Sequence, residues 1–174
     1  MSTHELIHTA LLVALCAAVG YASRIPNVEL ISAAVFTSGL LVGVRRGALV
    51  GGLAEAIYSG LNPYGVAPPP LYAAQILGFA LYGMAGGALR RHLPRLALPL
   101  QAAVAGLCGF MLTLVYDVLT NSAVWLTLRE GTSYRAVLLG GLAFPFPLAH
   151  PLTNTAGFAI LAPVVSRMWR RRSA

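Results

Sequence analysis

The chain has no lysine. Its 174 residues carry 12 basic side chains, all arginine, against 5 acidic ones, and only 10% of the chain is charged. So thin a charge excludes a soluble domain of this length. Cysteine is almost as scarce: Cys16 and Cys108 each lie inside an apolar run, with no CxxC or Cys/His cluster nearby. Both read as small buried hydrophobic side chains. No GxSxG or Walker A sequence occurs, and the HExxH string at residues 4–8, HELIH, stands alone at the start of an apolar run, so an enzyme is not expected, and the chain cannot hydrolyse ATP by the P-loop route. His4 and His8 stand one helical turn apart, but no third ligand is close in sequence. No metal and no cofactor are expected. The opening "MSTHEL" has neither the basic start nor the small-residue cleavage site of a signal peptide, so none is expected.

What the chain does have is apolar length, with 57% hydrophobic residues and a mean hydropathy of +0.74. A crossing needs about 20 mostly apolar residues. Six segments approach this, at 5–23, 28–44, 47–62, 71–89, 98–121 and 151–168. Inside lipid every backbone amide must be bonded internally, so these segments can only be helices. The expected fold is all-α: a polytopic membrane protein, a six-transmembrane-helix bundle forming one domain over 1–174. A tight reversal is expected at Arg45, Arg46 and Gly47, and a loop where Pro63, Gly65, Pro68, Pro69 and Pro70 interrupt the helical pattern. The stretch 122–148, "AVWLTL" and "YRAVLLGGLAF" joined by "REGTS", is expected to be an irregular or re-entrant connection.

Arginine then supplies an orientation. Six spans put Arg45, Arg46, Arg90, Arg91, Arg95, Arg167, Arg170, Arg171 and Arg172 on one side and Arg24, Arg129 and Arg135 on the other. By the positive-inside rule both termini are cytoplasmic, in the cell (plasma) membrane. The net charge of +7 therefore reports topology, and nucleic acid is discounted as a partner.

With that orientation the strongly polar side chains gather in the outer half of the bilayer. Glu55, Tyr58 and Asn62 share one face of the third helix at i, i+3 and i+7. Gln75 lies near the outer end of the fourth, Asp117 and Asn121 are one turn apart on the fifth, and His150 and Asn154 open the sixth. Intramembrane carboxylates are costly and face a bundle interior or a wet cavity. These eight residues are the candidate substrate-binding set, with Glu29 and Tyr64 at the mouth; Glu29 near the outer surface is alternatively solvated or paired with Arg24. Any single Asn or Gln is equally readable as an interhelical hydrogen-bonding group. Two carboxylates and several amides without a buried arginine favour a neutral or cationic ligand over an anion.

The first helix carries Ala10, Ala14, Ala18 and Ala22 at every fourth position. Small residues allow close helix approach in lipid, either within the bundle or against a second membrane protein.

With this alanine-rich first helix, "IPNVELISAAVFTSGLLVGVRRGALVGGLAEAIYSGLNPYG", "YAAQILGFALYGMAGG" and "HPLTNTAGFAILAP", the chain resembles the substrate-binding S component of energy-coupling factor (ECF) importers. The resemblance implies capture of a water-soluble vitamin or related micronutrient in an outward-facing pocket. It also implies ATP-driven uptake by a membrane scaffold protein with two cytoplasmic ATPases, and docking through Ala10, Ala14 and Ala18. The metal-binding branch of the family has an N-terminal Met-His segment, which "MSTHEL" lacks. Thiamine-like, cobalamin-like and deazapurine-like ligands all remain open. The competing function is a stand-alone proton-coupled secondary transporter of a small polar solute, working through Glu55 or Asp117.

Overall fold

The computed structural model describes residues 1–22, 29–62, 65–128, 131–141 and 146–173; Arg24, Tyr64 and Arg129 lie outside them. Every regular element among the described residues is helical. The helices are α1 (Thr3–Ala22), α2 (Ile31–Val42), α3 (Val44–Gly60), α4 (Pro69–Leu89), α5 (Leu98–Thr127), α6 (Tyr134–Gly141) and α7 (Phe146–Ser173), with a 3-10 turn at Leu93–Arg95. Of these, α1, α4 and α5 are long and apolar enough to cross a bilayer, and α2 is apolar but shorter. The chain is an all-α membrane protein.

Local chemistry sets the helix ends. Ser2 and Glu5 form a capping box: the Ser2 amide donates to Glu5 Oε2 at 2.9 Å and the Glu5 amide to Ser2 Oγ at 3.3 Å, satisfying two amides at the start of α1. Glu29 Oε2 accepts the Ser32 amide at 2.9 Å in the first turn of α2. Gly43, at φ +87°, turns α2 directly into α3; side chains are strained there. The reversal therefore precedes the expected Arg45–Arg46–Gly47, and both arginines fall in the first turn of α3. Pro69 and Pro70, expected in the loop, instead open α4. First-turn amides have no intrahelical acceptor, so a proline ring forfeits no bond there.

Two helices are longer than expected. At 30 residues, α5 runs about 45 Å, more than the roughly 30 Å of hydrocarbon core. Helix α7 starts at Phe146 and keeps Pro151 and Pro163 inside it. Between them α6 lies against α5, where Trp125 Nε1–H donates to the Thr132 carbonyl at 2.9 Å and the Ser122 and Tyr134 hydroxyls meet at 3.0 Å.

Small residues decide how closely the helices approach. A Cβ added at Gly83 would overlap the Gly47 carbonyl, one at Gly51 the Phe79 carbonyl and one at Gly86 the Phe36 carbonyl. Helices α2, α3 and α4 thus touch backbone to backbone, the contact that lipid-embedded helices rely on when burial from water gives no drive. Antiparallel α5 and α7 pair rung by rung: Gln101 with Ser166 at 2.6 Å, Gly109 against Phe158, Thr113 with Asn154 at 2.9 Å and Asp117 with His150 at 2.8 Å. Helix α1 runs beside α3 in the same direction. Arg46 meets Glu5 at 3.5 Å and Thr9 at 3.1 Å at one end. At the other, the Tyr21 hydroxyl lies 3.1 Å from the Ile57 and Tyr58 carbonyls.

Replacing Gly83 with Leu is expected to destabilise the protein by about 1–3 kcal/mol or more, because backbone cannot yield as a side chain does. Thermal unfolding of the detergent-purified variant measures this, and an unchanged midpoint would contradict the backbone contact.

Candidate functional site

Asn154, fully buried on α7, is the centre of the polar network. Its Nδ2 donates to Glu29 Oε1 at 3.1 Å and to Thr113 Oγ1 at 2.9 Å, and its Oδ1 accepts the Ser32 hydroxyl at 3.1 Å. Thr113 is satisfied in turn, donating to the Gly109 carbonyl at 2.7 Å and accepting the Tyr82 hydroxyl at 3.1 Å. One amide thereby ties α2, α5 and α7 together, and Thr113 adds α4.

His150, one turn before Asn154, stands between two carboxylates. Its Nδ1 lies 2.8 Å from Asp117 Oδ1 and its Nε2 3.5 Å from Glu29 Oε1. A neutral imidazole has one N–H, whereas an imidazolium donates from both nitrogens, so this geometry suits the cation. The sequence offered no lysine or arginine to offset the buried carboxylates; the structure supplies a histidine. The Tyr116 ring packs edge-on to His150 with centroids 5.8 Å apart and continues through Phe79 and Tyr82 to Phe158. An aromatic floor thus underlies the polar group.

The remaining candidates divide. Glu55, 1% exposed on α3, accepts the Ser59 hydroxyl on Oε1 at 2.6 Å. Gln75 on α4 approaches the Tyr116 hydroxyl, and Tyr116 also lies within electrostatic reach of Glu55 and Glu29. These groups therefore border the same end of the bundle. Tyr58 packs on Tyr21 and against Gly20 of α1. The Asn121 amide donates to the Asp117 carbonyl of its own helix at 2.7 Å. Asn62 follows α3, and its carbonyl accepts the Gly65 amide at 3.0 Å. Glu29, expected at the mouth, sits inside the network because its carboxylate caps α2 while facing α7. Among the described residues no group of three or more His, Cys, Asp or Glu is disposed to hold a metal ion; His4 and His8 stack edge to face with centroids 4.4 Å apart at the start of α1.

Sequence reasoning missed Ser32, Ser59, Tyr82 and Thr113. Three of them had a readable signal: Ser32 follows Glu29 by three residues, Ser59 follows Glu55 by four and Thr113 precedes Asp117 by four, all same-face helical spacings.

A family model described as the ECF-type riboflavin transporter, S component, matches residues 1–163. The chain belongs to that family. Comparison with curated proteins and with solved structures gives no match. An S component is the membrane-embedded substrate-binding part of an ECF transporter, and the network just described is the polar interior available to this one. The alanine stripe of this S component faces outward: Ala10, Ala14, Ala18 and Ala22 are exposed, whereas Thr9, Val13, Cys16, Ala17 and Gly20 form the buried face of α1.

Asn154→Leu is expected to destabilise the protein by about 2–4 kcal/mol, since Glu29, Ser32 and Thr113 each lose a buried partner. Denaturation of the detergent-solubilised variant reads this directly; a loss below about 1 kcal/mol, the net worth of one ordinary hydrogen bond, would show that Asn154 does not hold the network.

Proposed function

We propose that this S component captures a water-soluble vitamin at the end of the bundle where Glu29, Glu55, Asp117, His150 and Asn154 converge, with that end facing outward. Riboflavin is the first compound to test because the family description names it. The observation that carries the reading is the buried Glu29–His150–Asp117 link beside Asn154. So much buried polarity is costly in an apolar bundle, and a polar ligand gives it a use. Tyr58, Asn62, Gln75 and Asn121 complete the proposed binding set around it.

The orientation follows from charge. Arg45 and Arg46 at the start of α3, Arg90, Arg91 and Arg95 after α4, and Arg167 near the end of α7 belong to the end away from this site. Along α3 alone Arg46 and Glu55 are nine residues, about 14 Å, apart. With that end cytoplasmic, the chain crosses six times with both termini inside and the ligand site outside.

Energy comes from partners, since the chain has no nucleotide-binding loop. The exposed alanines give α1 a flat strip for a scaffold helix that joins the S component to two cytoplasmic ATPases, with Ala10, Ala14 and Ala18 making the contact. Close approach of backbones is the form of helix association that lipid favours. The inner half of the bundle is poor in buried charge, which suits a component that must shift relative to the bilayer.

Reconstitution with scaffold and ATPases in proteoliposomes tests this. Ala14→Leu and Ala18→Leu should each cut ATP-driven riboflavin uptake about tenfold or more, the effect of losing about 1.4 kcal/mol at the contact. Riboflavin binding by the isolated component should stay unchanged. Unaltered uptake, or loss of binding together with uptake, would contradict the docking assignment.

A further inference from the structure

Among the described residues three buried side-chain polar atoms have no hydrogen-bond partner: Glu55 Oε2, Gln75 Oε1 and Asp117 Oδ2. All are oxygens and all belong to the candidate site. In the two carboxylates the other oxygen is engaged by the protein: Ser59 holds Glu55 Oε1 at 2.6 Å and His150 holds Asp117 Oδ1 at 2.8 Å. The direction of each open carboxylate oxygen is therefore set before anything binds, which lowers the cost of ordering on binding.

Glu55 is 1% exposed and Asp117 9%, so bulk water does not reach these oxygens freely. Buried acceptors without donors are rare because each forfeits its hydration without replacement. A ligand bringing N–H or O–H groups removes that deficit, and one bringing only lone pairs or anionic oxygens deepens it. Charge acts in the same direction: Glu29 and Asp117 face one histidine, and among the described arginines only the exposed Arg135 on α6 belongs to this end of the bundle.

Resting on the vitamin-capture reading, we propose that the site recognises its substrate through hydrogen-bond donors. It takes a neutral or cationic compound that presents hydroxyl, amine or amide hydrogens to Asp117 Oδ2 and Gln75 Oε1, and it rejects the phosphate ester of that compound. The importer thereby takes up a free vitamin and leaves its phosphorylated form outside.

Calorimetric titration of the purified full-length protein with three matched pairs tests this: riboflavin and riboflavin 5′-phosphate, thiamine and thiamine monophosphate, pyridoxine and pyridoxine 5′-phosphate. In any pair that binds, the unphosphorylated member should bind tighter by about tenfold or more. Gln75→Leu should weaken that binding by a similar factor. Asp117→Asn, which can place an NH₂ group where Oδ2 stood, should both weaken it and narrow the preference within the pair. A phosphate ester bound by the native protein as tightly as its parent overturns the donor proposal, and this measurement needs no variant to fold. Folded Gln75→Leu and Asp117→Asn variants that bind as the native protein does overturn it as well. If the native protein binds none of the six compounds, the vitamin-capture reading itself fails, and the donor proposal falls with it.

Discussion

An apolar bundle can hold carboxylates only if something nearby offsets their charge, and here that something is His150. Its two ring nitrogens face Asp117 from α5 and Glu29, two residues before the start of α2. Leaving one partner of such a buried set unpaired costs about 3–5 kcal/mol. The pair of contacts therefore fixes where the tops of α2, α5 and α7 sit relative to one another. Asn154, one turn along α7, extends the same constraint through Thr113 to Tyr82 on α4. The polar end is a set of mutually satisfied groups with three oxygens left over, rather than a loose collection of side chains.

That arrangement depends on the packing beneath it. Backbone contacts at Gly47, Gly51 and Gly83 bring α3 and α4 close, and those helices carry Glu55 and Gln75 to the same end as Asp117. The rungs between α5 and α7 set the register, since Gln101 with Ser166 at one end and Asp117 with His150 at the other hold both helices to one alignment. Aromatic rings fill the space between these helices and the network. The stiffness of the apolar half is thus what keeps the polar half in place. The outward alanine strip on α1 has no share in this interior.

Much of this was legible in the sequence, and the departures have physical reasons. Apolar length announced helices because backbone amides in lipid have no other acceptors. Helix ends were harder. A proline reads as a break, yet Pro69 and Pro70 sit in a first turn where no bond is forfeited, and Pro151 sits inside α7, where Thr155 Oγ1 bonds its carbonyl at 2.6 Å. Periodicity places a residue on a face but does not say which neighbour that face meets. The Tyr58 ring packs on Tyr21 of α1 and the Asn121 amide bonds the Asp117 carbonyl of its own helix, neighbours that periodicity alone does not name. Glu29 was assigned to the rim because its position near a helix start looked exposed, and only the crossing of α2 with α7 turns it inward. Ser32, Ser59 and Thr113 were overlooked because a hydroxyl in an apolar run barely alters the hydrophobic pattern.

The central claim is that the network around His150 holds a small polar molecule. Native mass spectrometry of the protein purified from membranes tests it most directly, comparing the natural chain with a folded His150→Leu variant. The account predicts a bound small-molecule adduct on the natural chain that is absent or strongly depleted in the variant. The same adduct in equal proportion on both chains would contradict it.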